Sequence, residues 1–256
     1  MKIGVSSLTV YDGDIIKSLE FVENLNIKYF ELSTEYPNNR LDRELLKSFN
    51  LKYSIHSPTT DINLASLNRT IQKASIQEIK NSIEIANDLD ADIVVVHPGG
   101  FSFLGEPCEK KILNRSKESL KACRDYGREL GVTPVIENMP NHEGFIYKDV
   151  HELNDLLTDL EMKMALDIGH AFTNGFKEEE LYFDLVSHVH LSDNFGDKDL
   201  HLALGKGKID FKKIVDNFKG KNYDGVFILE IGDKNEILNN MDYLSKLFHN
   251  DYNIFK

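Results

Sequence analysis

The sequence predicts a single (β/α)₈ barrel running through residues 1–256. Three observations carry this reading. Short apolar runs alternate with segments of helical periodicity, eight times over, as parallel βα units require. The length of 256 residues allows roughly 30 per βα unit, matching the ~250 of a typical barrel. Six consecutive strands, the third to the eighth, also close in a metal-ligating residue type: His56, His97, Glu137, Asp167, His190 and Glu230.

Residues 3–6 form the first strand, and Ile15, Leu19, Val22 and Leu25 then recur at helical spacing. A second strand, 29–32, carries Glu31, and a short helix is expected near 41–49. The third strand, 51–55, ends at His56-Ser57-Pro58; the loop after it, 59–68, is long for a βα connection. Ile76, Ile79, Ile83 and Ala86 mark a helix. Ile93-Val94-Val95-Val96 shows no alternation, so it suits a strand buried on both faces. It ends at His97-Pro98-Gly99-Gly100. The next helix runs through Leu113, Ser116, Leu120, Cys123, Gly127 and Leu130, with Gly131 placed as its C-terminal cap. Strand 133–136 ends at Glu137-Asn138, helix 150–160 follows, and strand 164–166 ends at Asp167. A short helix is expected at 178–184. Strand 186–191 places His188 and His190 on one side, with His188 the deeper, a core or supporting imidazole. A polar, glycine-rich loop covers 195–208, helix 211–218 follows, and strand 226–229 ends at Glu230 before a last helix, 236–248. An open doubly wound sheet is the competing architecture, but no glycine-rich dinucleotide fingerprint follows the first strand.

Hydrophobic content of 41% and charged content of 28% are those of an ordinary globular chain. A net charge of −12 argues against broad electrostatic binding to nucleic acid or an anionic membrane. Cys108 and Cys123 form no disulfide framework and read as reduced thiols. No apolar run approaches the ~18 residues of a membrane span. The chain starts directly on a strand, so the expected location is cytoplasmic.

In a parallel barrel the C-terminal strand ends converge on one mouth. His170 stands three residues after Asp167, and Asp199 and His201 lie in the loop after the seventh strand. Singly, a His or an acid after a strand is a hydrogen-bonded structural residue or a helix cap. Their recurrence at the same end of consecutive strands points to a divalent-metal site. Mixed imidazole and carboxylate ligands suit Zn²⁺, Mn²⁺, Fe²⁺ or Co²⁺ better than an all-oxygen Mg²⁺ or Ca²⁺ site. His142, His151 and His249 read as surface residues, Arg69 and Arg115 as helix-surface residues, and Phe101, Phe103 and Phe172 as candidates to line the mouth. Lys206 and Lys208 flank the glycines of the 205–207 turn, where they are either solvated or contacts for a phosphate.

The ordered set His56-Ser-Pro, His97-Pro-Gly, Glu137-Asn, Asp167-x-x-His170-Ala-Phe, His190-Leu-x-Asp193, His201-x-x-x-Gly205-x-Gly207-x-Ile209 and Leu-Glu230 resembles the xylose-isomerase-like barrels. These include sugar isomerases and epimerases and the endonuclease IV nucleases. The resemblance spans nearly the whole chain and implies one of two chemistries. In the isomerase and epimerase branch, Glu137, Asp167, His190 and Glu230 would hold one ion, Zn²⁺ or Mn²⁺. Glu137 and Glu230 would also be the catalytic proton-transfer pair, acting on a small sugar or sugar phosphate. That branch often has an Arg three residues after the Asp of His-x-x-Asp; here the position is Gly196. In the endonuclease IV branch, His56, His97, Glu137, Asp167, His170, His190, Asp199, His201 and Glu230 would hold three zinc ions against abasic DNA. The segment 61–66 also resembles that branch, whereas the loop 33–39 offers no basic or aromatic cluster beyond Tyr36. A metal-binding protein without either chemistry is the third possibility.

Overall fold

The computed structural model describes residues 2–102 and 106–248, so Phe103 and His249 lie outside the described residues. The strands are β1 (Lys2–Ser6), β2 (Tyr29–Ser33), β3 (Lys52–His56), β4 (Ile93–Val96), β5 (Thr133–Glu137), β6 (Lys163–Asp167), β7 (Val186–Leu191) and β8 (Val226–Leu229). Each pairs in parallel with the next, and β8 closes on β1, giving the eight-stranded barrel expected from the sequence.

Among the described residues, the long helices are α2 (Ile15–Asn24), α4 (Arg69–Asp88), α5 (Glu109–Leu130), α6 (Val150–Leu160), α8 (Phe211–Gly220) and α9 (Ile237–Leu247). The shorter ones are α1 (Ser7–Val10), α3 (Arg43–Lys47) and α7 (Ile168–Thr173). Short acids and amides start them. Asp14, Asn68, Asp149 and Asp210 each accept a backbone N–H from the first turn of α2, α4, α6 and α8. Gly131 ends α5 at φ +72°, the left-handed conformation a glycine adopts without a Cβ penalty.

Strand alternation divides the side chains into two populations. Val94, Val96, Ile136, Leu166, Val189, Phe227 and Leu229 belong to the large apolar layer between strands and helices. Val95, Val135 and Ala165 instead form a separate small cluster, with Ile93 packed against it. In register terms His56 pairs with Val95, Glu137 with Ala165, and Asp167 with His190. Residues two positions on from the small apolar cluster are therefore His97, Glu137 and Asp167, at the C-terminal rim.

The helix expected at 178–184 is corrected to a three-residue 3₁₀ turn, Glu178–Glu180. Three consecutive acids open it, and Leu181 is the one fully buried apolar side chain there, so no apolar face recurs at helical spacing to extend it. α1 and α7 were not foreseen; at four and six residues they are too short for a periodic signal. Among the described residues no helix is long and apolar enough to cross a membrane.

Candidate metal centre

Local structure delivers each of the nine sequence-predicted residues to the same rim. His56, Glu137 and Asp167 are the last residues of β3, β5 and β6, and His190 lies one before the end of β7. His97 and Glu230 directly follow β4 and β8. Asp167 also caps α7, accepting the His170 N–H at 2.6 Å, and so turns the chain to bring His170 over the rim. Asn138 ties the β5 end to the β6 end, exchanging bonds of 2.8 and 3.0 Å with the Asp167 backbone.

The side chains meet in overlapping groups whose potential ligand atoms lie within 4.8 Å of one another: His56, His97 and Glu137; Glu137, Asp167, His190 and Glu230; and His170, Asp199 and His201. Glu137 is central. Its oxygens stand 2.8 Å from His97 Nε2, 3.4 Å from His56 Nε2 and 2.9 Å from His190 Nδ1. His190 Nδ1 is also 3.3 Å from Glu230 and 3.8 Å from Asp167. Asp199 Oδ2 sits between His170 Nε2 at 3.1 Å and His201 Nε2 at 3.0 Å.

Hydrogen-bond polarity indicates what belongs between these groups. His56 Nδ1 lies 2.8 Å from the Ser57 carbonyl, His170 Nδ1 2.8 Å from that of Asn138, and His201 Nδ1 2.7 Å from that of Glu230. A carbonyl only accepts, so each Nδ1 carries the proton. In a neutral ring the lone pair then sits on Nε2 and points at a carboxylate oxygen, which also only accepts. Acceptor against acceptor at 3.0–3.4 Å is repulsive unless a proton or a cation lies between. Buried Glu137 Oε2, Asp167 Oδ2 and Asp199 Oδ1 have no hydrogen-bond donor of their own. The donor set therefore fits a divalent cation, with the rear N–H groups of His56, His170 and His201 already anchored.

The titration tendencies tell the same story with protons standing in for cations. Burial opposes charge on His56, but the hydrogen bond and charge of Glu137 outweigh it and raise its pKa to about 9. Burial is likewise outweighed at His170 by Asp167 and Asp199, to about 10, and at His201 by Asp199 and Glu230, to about 9. Asp167 is raised to about 6, first by burial and then by neighbouring acids that oppose the pull of His170. Burial prevails at His97 and lowers it.

Asp193, the acid of the His-x-x-Asp motif, is fully buried and takes a supporting role. Its carboxylate accepts the backbone N–H groups of Asn194, Gly205, Gly207 and Ile209 at 2.8–3.2 Å. It thereby folds the loop carrying Asp199 and His201 onto the rim. A Cβ at Gly207 would collide with Asp193 Oδ1 and the Asn194 carbonyl, so only glycine fits that turn. Asp193→Ala strands several buried N–H groups at ~1–3 kcal/mol each. The expected result is a fall in Tm and, where His170, Asp199 and His201 hold an ion, its loss, checked by calorimetry and metal analysis. An unchanged Tm would remove Asp193 from this role.

Lys206 and Lys208 are exposed on that loop. Phe101 packs beside the Ala65, Ile112 and Ile146 cluster and Phe172 against the main core, so both serve packing. The Arg69 side chain is 63% exposed, but Arg115 is only 17% exposed and pairs with Glu118, which corrects its expected surface position. His142 and His151 are exposed, as expected. His188 is fully buried, and its Nε2 bonds Glu31 at 2.7 Å. Glu31 is the residue that sequence reasoning passed over; an acid in the middle of an apolar strand was the available signal. A cavity of about 700 Å³ opens at the opposite, N-terminal mouth, by Lys2, Tyr29, Ser54 and His188, away from the gathered ligands. A cavity of about 150 Å³ adjoins the site itself, lined by Thr59, Asn63, His97, Gly100 and Phe145 among others.

Comparison with known proteins agrees with this fold. A family model described as a xylose isomerase-like TIM barrel matches residues 17–247. An uncharacterized protein of Methanocaldococcus jannaschii is 36% identical over 243 residues, covering 91% of this chain and 93% of the relative. A probable endonuclease 4 of Aquifex aeolicus is 22% identical, covering 77% of this chain and 80% of its own. A solved structure of a D-tagatose 3-epimerase-like protein superposes with a TM-score of 0.87 at 29% identity, covering 97% of each chain.

Proposed function

Because the chain belongs to the xylose isomerase-like TIM barrel family, we propose that it is a divalent-metal-dependent isomerase or epimerase of a small sugar or sugar phosphate. One observation carries this reading. Glu137 and Glu230, from opposite parts of the sequence, present oxygens within 4.8 Å of each other and of Asp167 and His190. Those four residues would hold the ion, and imidazole with carboxylate suits Zn²⁺ or Mn²⁺. When bound, the ion supplies a Lewis acid beside the carbonyl and hydroxyl oxygens of the substrate.

The chain's own groups supply the proton chemistry. One glutamate, as carboxylate, removes the proton from the carbon beside the carbonyl. The other, as carboxylic acid, returns a proton to the opposite face of that carbon, inverting it, or to the neighbouring carbon while the first carbon's hydroxyl proton passes to the former carbonyl oxygen, moving the carbonyl. In the reverse direction the two exchange roles. The cavity of about 150 Å³ beside His97 is well below the ~300–1,000 Å³ of a drug-sized site, which suits a compact ligand.

A second reading rests on a different observation: the ligand groups exceed what one ion uses, because His56, His97, His170, Asp199 and His201 are gathered as well. A multinuclear centre of up to three ions would suit phosphodiester cleavage at abasic sites in DNA, and Tyr36, 71% exposed after β2 with Arg40 5.2 Å above its ring, is an aromatic rim contact for such a substrate. The net charge of −12 weighs toward the sugar.

Metal analysis of purified protein, paired with two assays, separates them. About one equivalent with deuterium exchange into a ketose panel is the expected result. About three equivalents with nicking of an abasic duplex would replace it with the nuclease. Metal uptake with neither activity would leave a binding protein.

A further inference from the structure

Beneath the metal centre the barrel interior holds a second polar layer. Glu31, from the middle of β2, is fully buried. Its Oε2 accepts His188 Nε2 at 2.7 Å and the Ser54 hydroxyl at 3.0 Å, and its Oε1 stands 2.9 Å from His190 Nε2. Among the described residues, no Lys or Arg pairs with it; the nitrogens within ion-pair distance are those of His188 and His190. A buried carboxylate without a fixed cation costs several kcal/mol unless its neighbours satisfy it.

We propose that Glu31 is a positioning residue for His190: it takes the Nε2 proton and so holds the Nδ1 lone pair toward Glu137, Asp167 and Glu230. Polarity separates this layer from the rim. At the rim, carbonyl bonds behind the rings leave acceptors facing acceptors. Around Glu31, the His188 N–H and the Ser54 hydroxyl both donate to Oε2, and Oε1, which has no other hydrogen-bond partner, faces His190 Nε2 at 2.9 Å, so an N–H on that nitrogen completes the carboxylate without an ion. Glu31, His188 and His190 are close enough together to look like a ligand set, yet this complementarity makes them the support of one. Ser54 and His188, from β3 and β7, hold Oε2 and leave Oε1 to His190.

The assignment rests on the metal-centre reading, and Co²⁺ titration distinguishes failure of one from failure of the other. Glu31→Gln keeps the shape but turns an amide N–H toward one of the two imidazoles, forcing a ring to change tautomer or rotate. The expected result is Co²⁺ binding weakened ~10–100-fold against a chromophoric chelator. The visible Co²⁺ spectrum should change for the ion held with His190, while any ion held by His170, Asp199 and His201 keeps its affinity. Glu31→Asp should recover part of the loss. Should Glu31→Gln fail to fold, Ser54→Ala carries the test: it leaves every proposed ligand and Glu31 in place, and a several-fold loss is expected. Wild-type affinity and spectrum in Glu31→Gln, or in Ser54→Ala where the first variant does not fold, overturn the assignment alone. Absence of Co²⁺ uptake by the wild-type protein overturns the metal reading and this assignment together.

Discussion

Glu230→Gln is expected to abolish turnover, with kcat/KM falling at least ~10²–10⁴-fold, the range for a lost general acid–base group. The residue is 4% exposed, so solvent does not replace its carboxylate. Its Oε1 accepts the Ser6 hydroxyl at 3.4 Å and its Oε2 lies 3.3 Å from His190 Nδ1. Glutamine preserves the shape and the backbone carbonyl that anchors His201. It removes the ability to carry a transferable proton and one anionic oxygen from the ligand group. Activity and metal affinity should therefore fall together while the fold persists. Glu137→Gln should cost more stability, because His56, His97 and His190 all converge on that carboxylate. Solvent-deuterium exchange separates the roles: a variant that still washes out the substrate proton without forming product has lost only the returning acid. Retained turnover at full metal content in Glu230→Gln would remove Glu230 from the proton-transfer pair.

The rim was legible in the sequence because a parallel barrel converts order along the chain into proximity. Every strand from the third on delivers its end to one place, so His56 and Glu230 could be placed together across 173 intervening positions. Even Asp199 and His201, on a loop, were legible through their place after the seventh strand and the resemblance carried by His201-x-x-x-Gly205-x-Gly207. Glu31 was not. A polar residue between Phe30 and Leu32 reads equally as a solvent-facing position of a half-exposed strand, and only barrel closure places it inside. His188 fared better, since sharing a face with His190 determined its side. The anchoring of Asp193 was hidden for another reason: its partners are backbone N–H groups, which carry no residue-type signature.

If ions also fill the groups around His56 and around His170, Asp199 and His201, as in the multinuclear reading, stripping them should destabilise the protein more strongly at pH 10 than at pH 6, and the imidazoles determine the sign. His56 and His201 are raised to about 9 and His170 to about 10, from an ordinary value of 6.5. A group whose folded pKa is raised binds its proton more tightly in the folded state. Its contribution to the metal-free protein is complete below pH 6.5 and is lost as pH rises through 9 to 10. His97, lowered by burial, acts in the opposite sense and over a lower window. In the loaded protein the cation occupies the lone pairs those protons would take, so alkaline pH removes nothing there. Acidification instead drives protons against the metal. The difference in Tm between loaded and stripped protein should therefore widen from pH 6 to pH 10, by on the order of 5–10 °C if the net effect is a few kcal/mol. Scanning calorimetry of both forms at the two pH values measures it. A gap that stays constant or narrows would mean that these imidazoles do not face a cation, as when a single ion sits among Glu137, Asp167, His190 and Glu230.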